Sequence, residues 1–337
     1  MYDRSMRSAW ARLVWLGAWS LAACARVPQA QSPAPSVAPA TSASSVAKVQ
    51  ASPAPSSPSL SPNGDASGSI TLPREAAPRP CGALDCLAFA TPATAFEYVL
   101  RENPRVLAVG EAHAQEGTPG IQSSTRRFAE QLLPKLAGKS KHIVIELLLA
   151  NCKQETVTEV KKRQAPVTEH QAKSNQNEFV TLGKVAESLG IEPQGLTPAC
   201  PEYEAIVASG KDSVARLLTL VADQTAKEVE AWLAKPETAG EPLLIYGGAL
   251  HNDLNPQPGQ EAWSFGPRLA ADTQNRYLEL DLIVPEFVKD SEAWRNLPWF
   301  SAFDREHSSD ETLLFRPAPH SFVLIFPKTE RPPPQQL

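Results

Sequence analysis

The chain has 337 residues, a net charge of −5, six histidines, five cysteines and 32 prolines. Its acidic balance, with no basic stripe, argues against a nucleic-acid partner. Its one markedly apolar N-terminal stretch is too short for a permanent membrane span, and no later stretch is longer.

Arg4, Arg7 and Arg12 precede the apolar run Leu13–Ala23, the pattern of a secretory signal over residues 1–23. The run ends in Leu21-Ala22-Ala23-Cys24, which resembles the lipobox of bacterial lipoproteins. That resemblance implies lipidation of Cys24 and export. With Ala25 and Arg26 following rather than aspartate, it implies an outer-membrane anchor facing the periplasm or cell surface. The alternative is an ordinary signal peptide with a chance cysteine. From Ala25 to Pro80 the chain is Pro, Ala and Ser, holding 11 of the 32 prolines. Residues 24–80 therefore read as a lipidated cysteine and an extended tether that cannot bury a core. Residues 81–327 are long enough for one α/β domain, followed by a tail over 328–337.

Four cysteines remain: Cys81, Cys86, Cys152 and Cys200. An even number in an exported domain points to two disulfides, with 81–86 and 152–200 the preferred pairing. A thiolate metal site would need paired CxxC spacing, which is missing.

Thr91-Pro92 reads as a helix start, with Phe96, Val99 and Leu100 on one face and Asn103-Pro104 as the stop. A strand over Arg105–Val109 leads into Gly110-Glu111-Ala112-His113. Ser123 or Ser124 caps a helix carrying Phe128, Leu132, Leu133 and Leu136, with Pro134 placed awkwardly inside it. His142–Leu148 is a strand buried on both faces. Residues 153–178 lack a clear period and read as a lid or an irregular helical insertion. A short helix over Phe179–Leu189, a strand over Ile191–Leu196 and a long helix from Asp212 or Ser213 to about Ala234 follow. Leu243–Tyr246 is a strand entering Gly247-Gly248-Ala249-Leu250-His251. Arg276–Val284 and Ser321–Phe326 read as closing strands. Strands alternating with helices, without hairpins, imply an α/β fold: a mostly parallel central sheet with helices on both faces. Ligands collect at the carboxyl ends of such strands, where Glu111, His113, Glu146 and His251 fall.

Two imidazoles and two carboxylates at one sheet edge can hold a divalent transition metal such as Mn, Co or Zn. They can also work without one, as base and orienting carboxylate, or they can ring a haem pocket. A glycine before each histidine lets the backbone turn sharply. The bland readings are satisfied histidines at strand ends, a turn-capping Glu111 and a Glu146 paired with a structural arginine. His142, His170, His307 and His320 read as surface or packing residues, and Tyr246 as core. The Trp263-Ser-Phe and Trp294/Trp299/Phe300 groups read as core or pocket wall.

Gly110-Glu111-Ala112-His113, Glu146 at the end of Ile-Val-Ile-Glu, and Gly248-Ala249-Leu250-His251 together resemble the erythromycin-esterase, ChaN-like and Tiki/TraB superfamily. The similarity spans about residues 105–325 and is nearest to ChaN-like bacterial lipoproteins linked to haem or iron uptake. It implies a ChaN/Tiki-like fold. It also implies a metal-assisted hydrolase site of esterase or peptidase type, with Glu111, His113, Glu146 and His251 as catalytic or metal-binding residues. The substrate would be a small molecule or a peptide; the alternative is a non-catalytic haem or iron-complex carrier. Where relatives commonly carry a further histidine or arginine, this chain has Arg126, a candidate anion clamp. Asp253 offers another carboxylate for substrate binding. No feature of the sequence fixes an oligomeric state.

Overall fold

The computed structural model describes residues 76–329, apart from 80, 82–83, 119, 150 and 305–309. The signal segment, Cys24, the tether up to residue 75, His307 and residues 330–337 lie outside the described residues.

Nine strands form one sheet: β1 (Ala76–Pro78), β2 (Asp85–Phe89), β3 (Val106–Glu111), β4 (His142–Leu148), β5 (Glu192–Leu196), β6 (Leu243–Gly248), β7 (Tyr277–Ile283), β8 (Thr312–Ala318) and β9 (Ser321–Ile325). Their spatial order is β1-β2-β8-β9-β7-β3-β6-β4-β5. The six strands from β9 to β5 run parallel, and β8, β2 and β1 extend the sheet antiparallel. The α/β expectation is met by a mixed sheet. The expectation of no hairpins is corrected, because β8 and β9 are joined tightly, with Ala318 paired to Ser321 and His320 at φ 61°. Both outer strands carry a proline, Pro78 in β1 and Pro193 in β5. β1 also falls inside the stretch read as tether.

The helices are α1 (Pro92–Val99), α2 (Ser124–Arg127), α3 (Gln154–Thr168), α4 (Asn175–Ser188), α5 (Cys200–Ala208), α6 (Ser213–Leu233), α7 (Gly266–Asp272) and α8 (Glu292–Arg295). Thr91 caps α1 by accepting from the Thr94 amide. Ser123 caps α2 by accepting from the Arg126 amide. Beyond α2 the chain widens into a π turn over Phe128–Leu132 and tightens into a 3₁₀ turn over Leu133–Leu136. Pro134 accounts for the change, since it lacks an N–H and its ring crowds the carbonyl one turn back. Residues 153–178 hold a 15-residue helix, α3, despite Pro166, and α4 begins at Asn175, four residues before the expected start.

Two cores sandwich the parallel strands. One joins Phe96, Phe128 and Phe179 to Leu107, Val109, Ile143, Ile145 and Tyr246. The other joins Tyr203, Leu217, Val221, Trp232 and Leu269 to Val106, Ala108, Val144, Ile245 and Tyr277. A third, aromatic cluster packs Trp294, Trp299 and Phe303 against Phe315, Val323 and the Cys81–Cys86 disulfide. The second disulfide, Cys152–Cys200, ties the chain just before α3 to the start of α5. Among the described residues, no helix is long and apolar enough to cross a membrane.

Candidate active site

Side chains alternate across a strand, and that alternation decides which polar groups at the sheet edge meet. In β3, Leu107 and Val109 belong to the first core, and Glu111 continues their row. In β4, Ile143, Ile145 and Leu147 belong to the first core and Val144 and Leu148 to the second. Glu146 therefore faces the second. Gly247 confirms the placement, because a Cβ there would lie 2.5 Å from Glu146 Oε2. The four expected residues thus form two His–Glu pairs at one end of the sheet, on opposite faces. They flank the end of β6, where Gly248 is the register partner of Glu111 and donates its amide to Glu146 Oε2 at 2.7 Å.

In the first pair, His113 Nδ1 lies 2.5 Å from Glu111 Oε1. Glu111 Oε2 accepts from Thr125 Oγ1 at 2.5 Å and from the Tyr246 hydroxyl at 2.6 Å. Three groups around one carboxyl fix its position and that of the imidazole. Tyr246 is raised well above its ordinary value by burial and then by the Glu111 charge, so it remains a donor. Tyr246 is core, as expected, and it is also a ligand of Glu111. Thr125 and Tyr246 carry no motif of their own that would mark either as a partner of Glu111.

In the second pair, His251 Nδ1 lies 2.7 Å from the Trp263 carbonyl. A carbonyl only accepts, so Nδ1 carries the hydrogen and Nε2 turns toward Glu146 Oε1 at 3.8 Å. His251 Nε2 is buried with no hydrogen-bond partner among the described residues.

A polar cradle from β7 holds the turn after His251. Tyr277 donates to the Asn252 carbonyl at 2.6 Å, Asn252 Nδ2 donates to Asp281 Oδ1 at 3.0 Å, and the Leu254 amide donates to Glu279 Oε2 at 2.9 Å. The glycines serve packing rather than turning. Gly110, Gly247 and Gly248 lie within strands, and none has a positive φ. This corrects the sharp-turn expectation. A Cβ on Gly110 would lie 2.6 Å from Asn252 Oδ1 and Asp281 Oδ1 and 2.7 Å from the Ala249 Cα. Gly110→Ala is therefore expected to cost about 1–3 kcal/mol or more through overpacking, read as a lower denaturant midpoint.

Arg126 is exposed and paired with Glu130 at 2.8 Å. Asp253 is half-buried, accepts from the Asn255 amide at 2.7 Å and is raised by burial. Trp263 contributes its carbonyl to His251, and Trp294 and Trp299 are core of the third cluster.

Among the described residues, no group of three or more His, Cys, Asp or Glu side chains is placed to hold a metal ion. Glu111 commits both oxygens to protein donors, and the Glu146–His251 pair supplies two ligands where a catalytic zinc site uses three. The donor set does not fit a metal centre, and no step below uses one.

Glu111, His113, Glu146 and His251 are 1–4% exposed, so the edge is covered. The segment between α3 and α4 is fastened to the loop just after His113, and Phe179 of α4 lies against the His113 ring. Ala172 N and Asn175 Nδ2 both donate to the Ala114 carbonyl at 2.9 Å, and Glu116 N donates to the His170 carbonyl at 2.9 Å.

No family model matches the chain, and no curated protein does. Among solved structures, the type III effector HopBA1 is similar at 11% identity and a TM-score of 0.32, over 68% of this chain and 90% of that one. A likeness at that level carries no argument.

Proposed function

We propose that this is an exported, lipid-anchored protein with a hydrolase-type site, in which the two His–Glu pairs divide the work of base and acid. One observation carries the reading: each histidine has its Nδ1 pinned, to Glu111 at 2.5 Å and to the Trp263 carbonyl at 2.7 Å. Pinning one ring nitrogen fixes the tautomer and the orientation in which the ring exchanges a proton. His113 takes a proton from water as the water oxygen attacks an ester or peptide carbonyl, and Glu111 stabilises the imidazolium. His251, whose Nε2 faces Glu146 Oε1 at 3.8 Å, delivers a proton to the leaving group and regains one from solvent as the cycle closes. The ChaN/Tiki resemblance supports the same residues, and two disulfides suit an oxidising compartment. Because the Glu111–His113 pair is buried beside the 169–175 segment, lifting that segment from the loop after His113 opens this pair to substrate.

The test is turnover of a panel of activated esters and short peptides by the purified protein. His113→Ala and His251→Ala are each expected to lower turnover by about 10²–10⁴, and turnover equal to that of the wild type in either variant would refute the scheme. The haem-carrier alternative predicts a different outcome: a shift in the visible spectrum of added haem that is lost in His251→Ala, with no hydrolysis.

A further inference from the structure

The buried Glu111–His113 pair needs a route by which its proton reaches solvent, since both side chains are at most 2% exposed. α4 supplies a group at the boundary. Its first turn is fastened to the residue after His113 through Asn175 Nδ2 and the Ala114 carbonyl. Phe179 sets its ring against the His113 ring at a centroid distance of 6.1 Å. Between these two anchors stands Glu178, half-buried. Ser123 Oγ donates to Glu178 Oε2, and two residues along the same turn Thr125 donates to Glu111. The opening turn of α2 therefore holds both carboxyls, the outer through Ser123 and the inner through Thr125.

We propose that Glu178 is a further proton-active member of this site, the carboxyl through which the buried Glu111–His113 pair exchanges protons with solvent. The proposal deepens the hydrolase reading and rests on it for its catalytic meaning. The charged and titratable groups around Glu178 are Glu111 and His113 at the end of β3, Arg126 of α2 and Tyr246 of β6. Burial lifts the Glu178 carboxyl above its ordinary value. The Ser123 hydrogen bond opposes that rise and the Glu111 charge adds to it. A carboxyl lifted in this way both accepts and releases a proton nearer neutral pH than an exposed one. In the cycle, the proton taken by His113 from water leaves through Glu178, which returns to the carboxylate by releasing it to solvent. No electron or further reactant is required.

The experiment is nuclear magnetic resonance of the His113 ring in the full chain, comparing wild type, Glu178→Gln and Glu178→Asp, and it needs no substrate. Glu178→Gln is expected to lower the His113 titration midpoint, because a neighbouring negative charge is lost, and to slow exchange of the ring N–H by about tenfold or more. Glu178→Asp is expected to restore both in part. Unchanged titration and exchange in a folded Glu178→Gln protein would overturn the proposal. If Glu178→Gln does not fold, Ser123→Ala serves instead, and its failure to alter His113 exchange counts equally against the relay. A changed His113 ring in a protein that hydrolyses nothing would leave the relay standing and remove the hydrolase reading, so the two failures are distinguishable.

Discussion

Glu111→Ala is expected to cost about 3 kcal/mol or more of folding stability, because each buried donor left without its acceptor costs about 1–3 kcal/mol. The carboxylate accepts from three donors, and truncation leaves His113 Nδ1, Thr125 Oγ1 and the Tyr246 hydroxyl facing an empty space. Tyr246 cannot swing out to water. Its ring stacks on Phe128 at 4.8 Å and meets Phe179 edge-on at 5.6 Å. Glu111→Gln keeps the volume and one accepting oxygen but presents an amide donor to another donor, so about 1–3 kcal/mol is expected. Adding Tyr246→Phe to Glu111→Leu should recover part of the loss, because removing both partners of a buried hydrogen bond costs less than removing one. Chemical denaturation of the four variants beside the wild type measures this. A loss below about 1 kcal/mol for Glu111→Ala would mean that the network does not hold the edge together.

The second large effect concerns pH. Burial raises the Asp281 carboxyl from its ordinary 3.8 to about 7, against the Asn252 hydrogen bond, and burial also raises its neighbour Glu279. The folded chain therefore keeps a proton that the unfolded chain has already released. Stability should fall as the pH rises from about 4 through about 7, with a total on the order of 2–4 kcal/mol. This slope is opposite to that of an ion-paired carboxylate. Asp281→Asn mimics the protonated form, leaves the Asn252 contact to an amide oxygen and should flatten most of the slope. Urea midpoints at about pH 5 and about pH 7.5 decide it; a wild type that is more stable at the higher value would contradict the expectation.

The parallel half of the sheet was legible because strands covered on both faces must be largely apolar, as β4 and β6 are. The antiparallel half was harder to read. β8, over Thr312–Ala318, includes Arg316 and Pro317 and is half-buried along most of its length, so its pattern is broken. α3 was missed as a regular helix because its few apolar residues give little periodicity: Val160 is buried, while Lys161, Lys162 and Arg163 follow directly. The four acid and imidazole residues of the edge were readable from their places after apolar runs. Their sorting onto two faces was not, because it depends on alternation counted along β3 and β4 and on where β6 inserts between them. Thr125 and Tyr246 were unreadable as Glu111 partners for the same reason: only the fold brings them to it.

The prolines of the two outer strands bear on how the sheet ends. An edge strand offers a row of amides and carbonyls to any extended chain. Pro78 and Pro193 each remove one donor from that row, and a proline inside a strand is tolerated only where no further strand must be accepted. Glu192 adds a charge beside Pro193. Strand-by-strand growth of the sheet, whether into a dimer across its edges or into an aggregate, is thus disfavoured at both ends, and a partner protein would have to bind through side chains rather than by adding a strand.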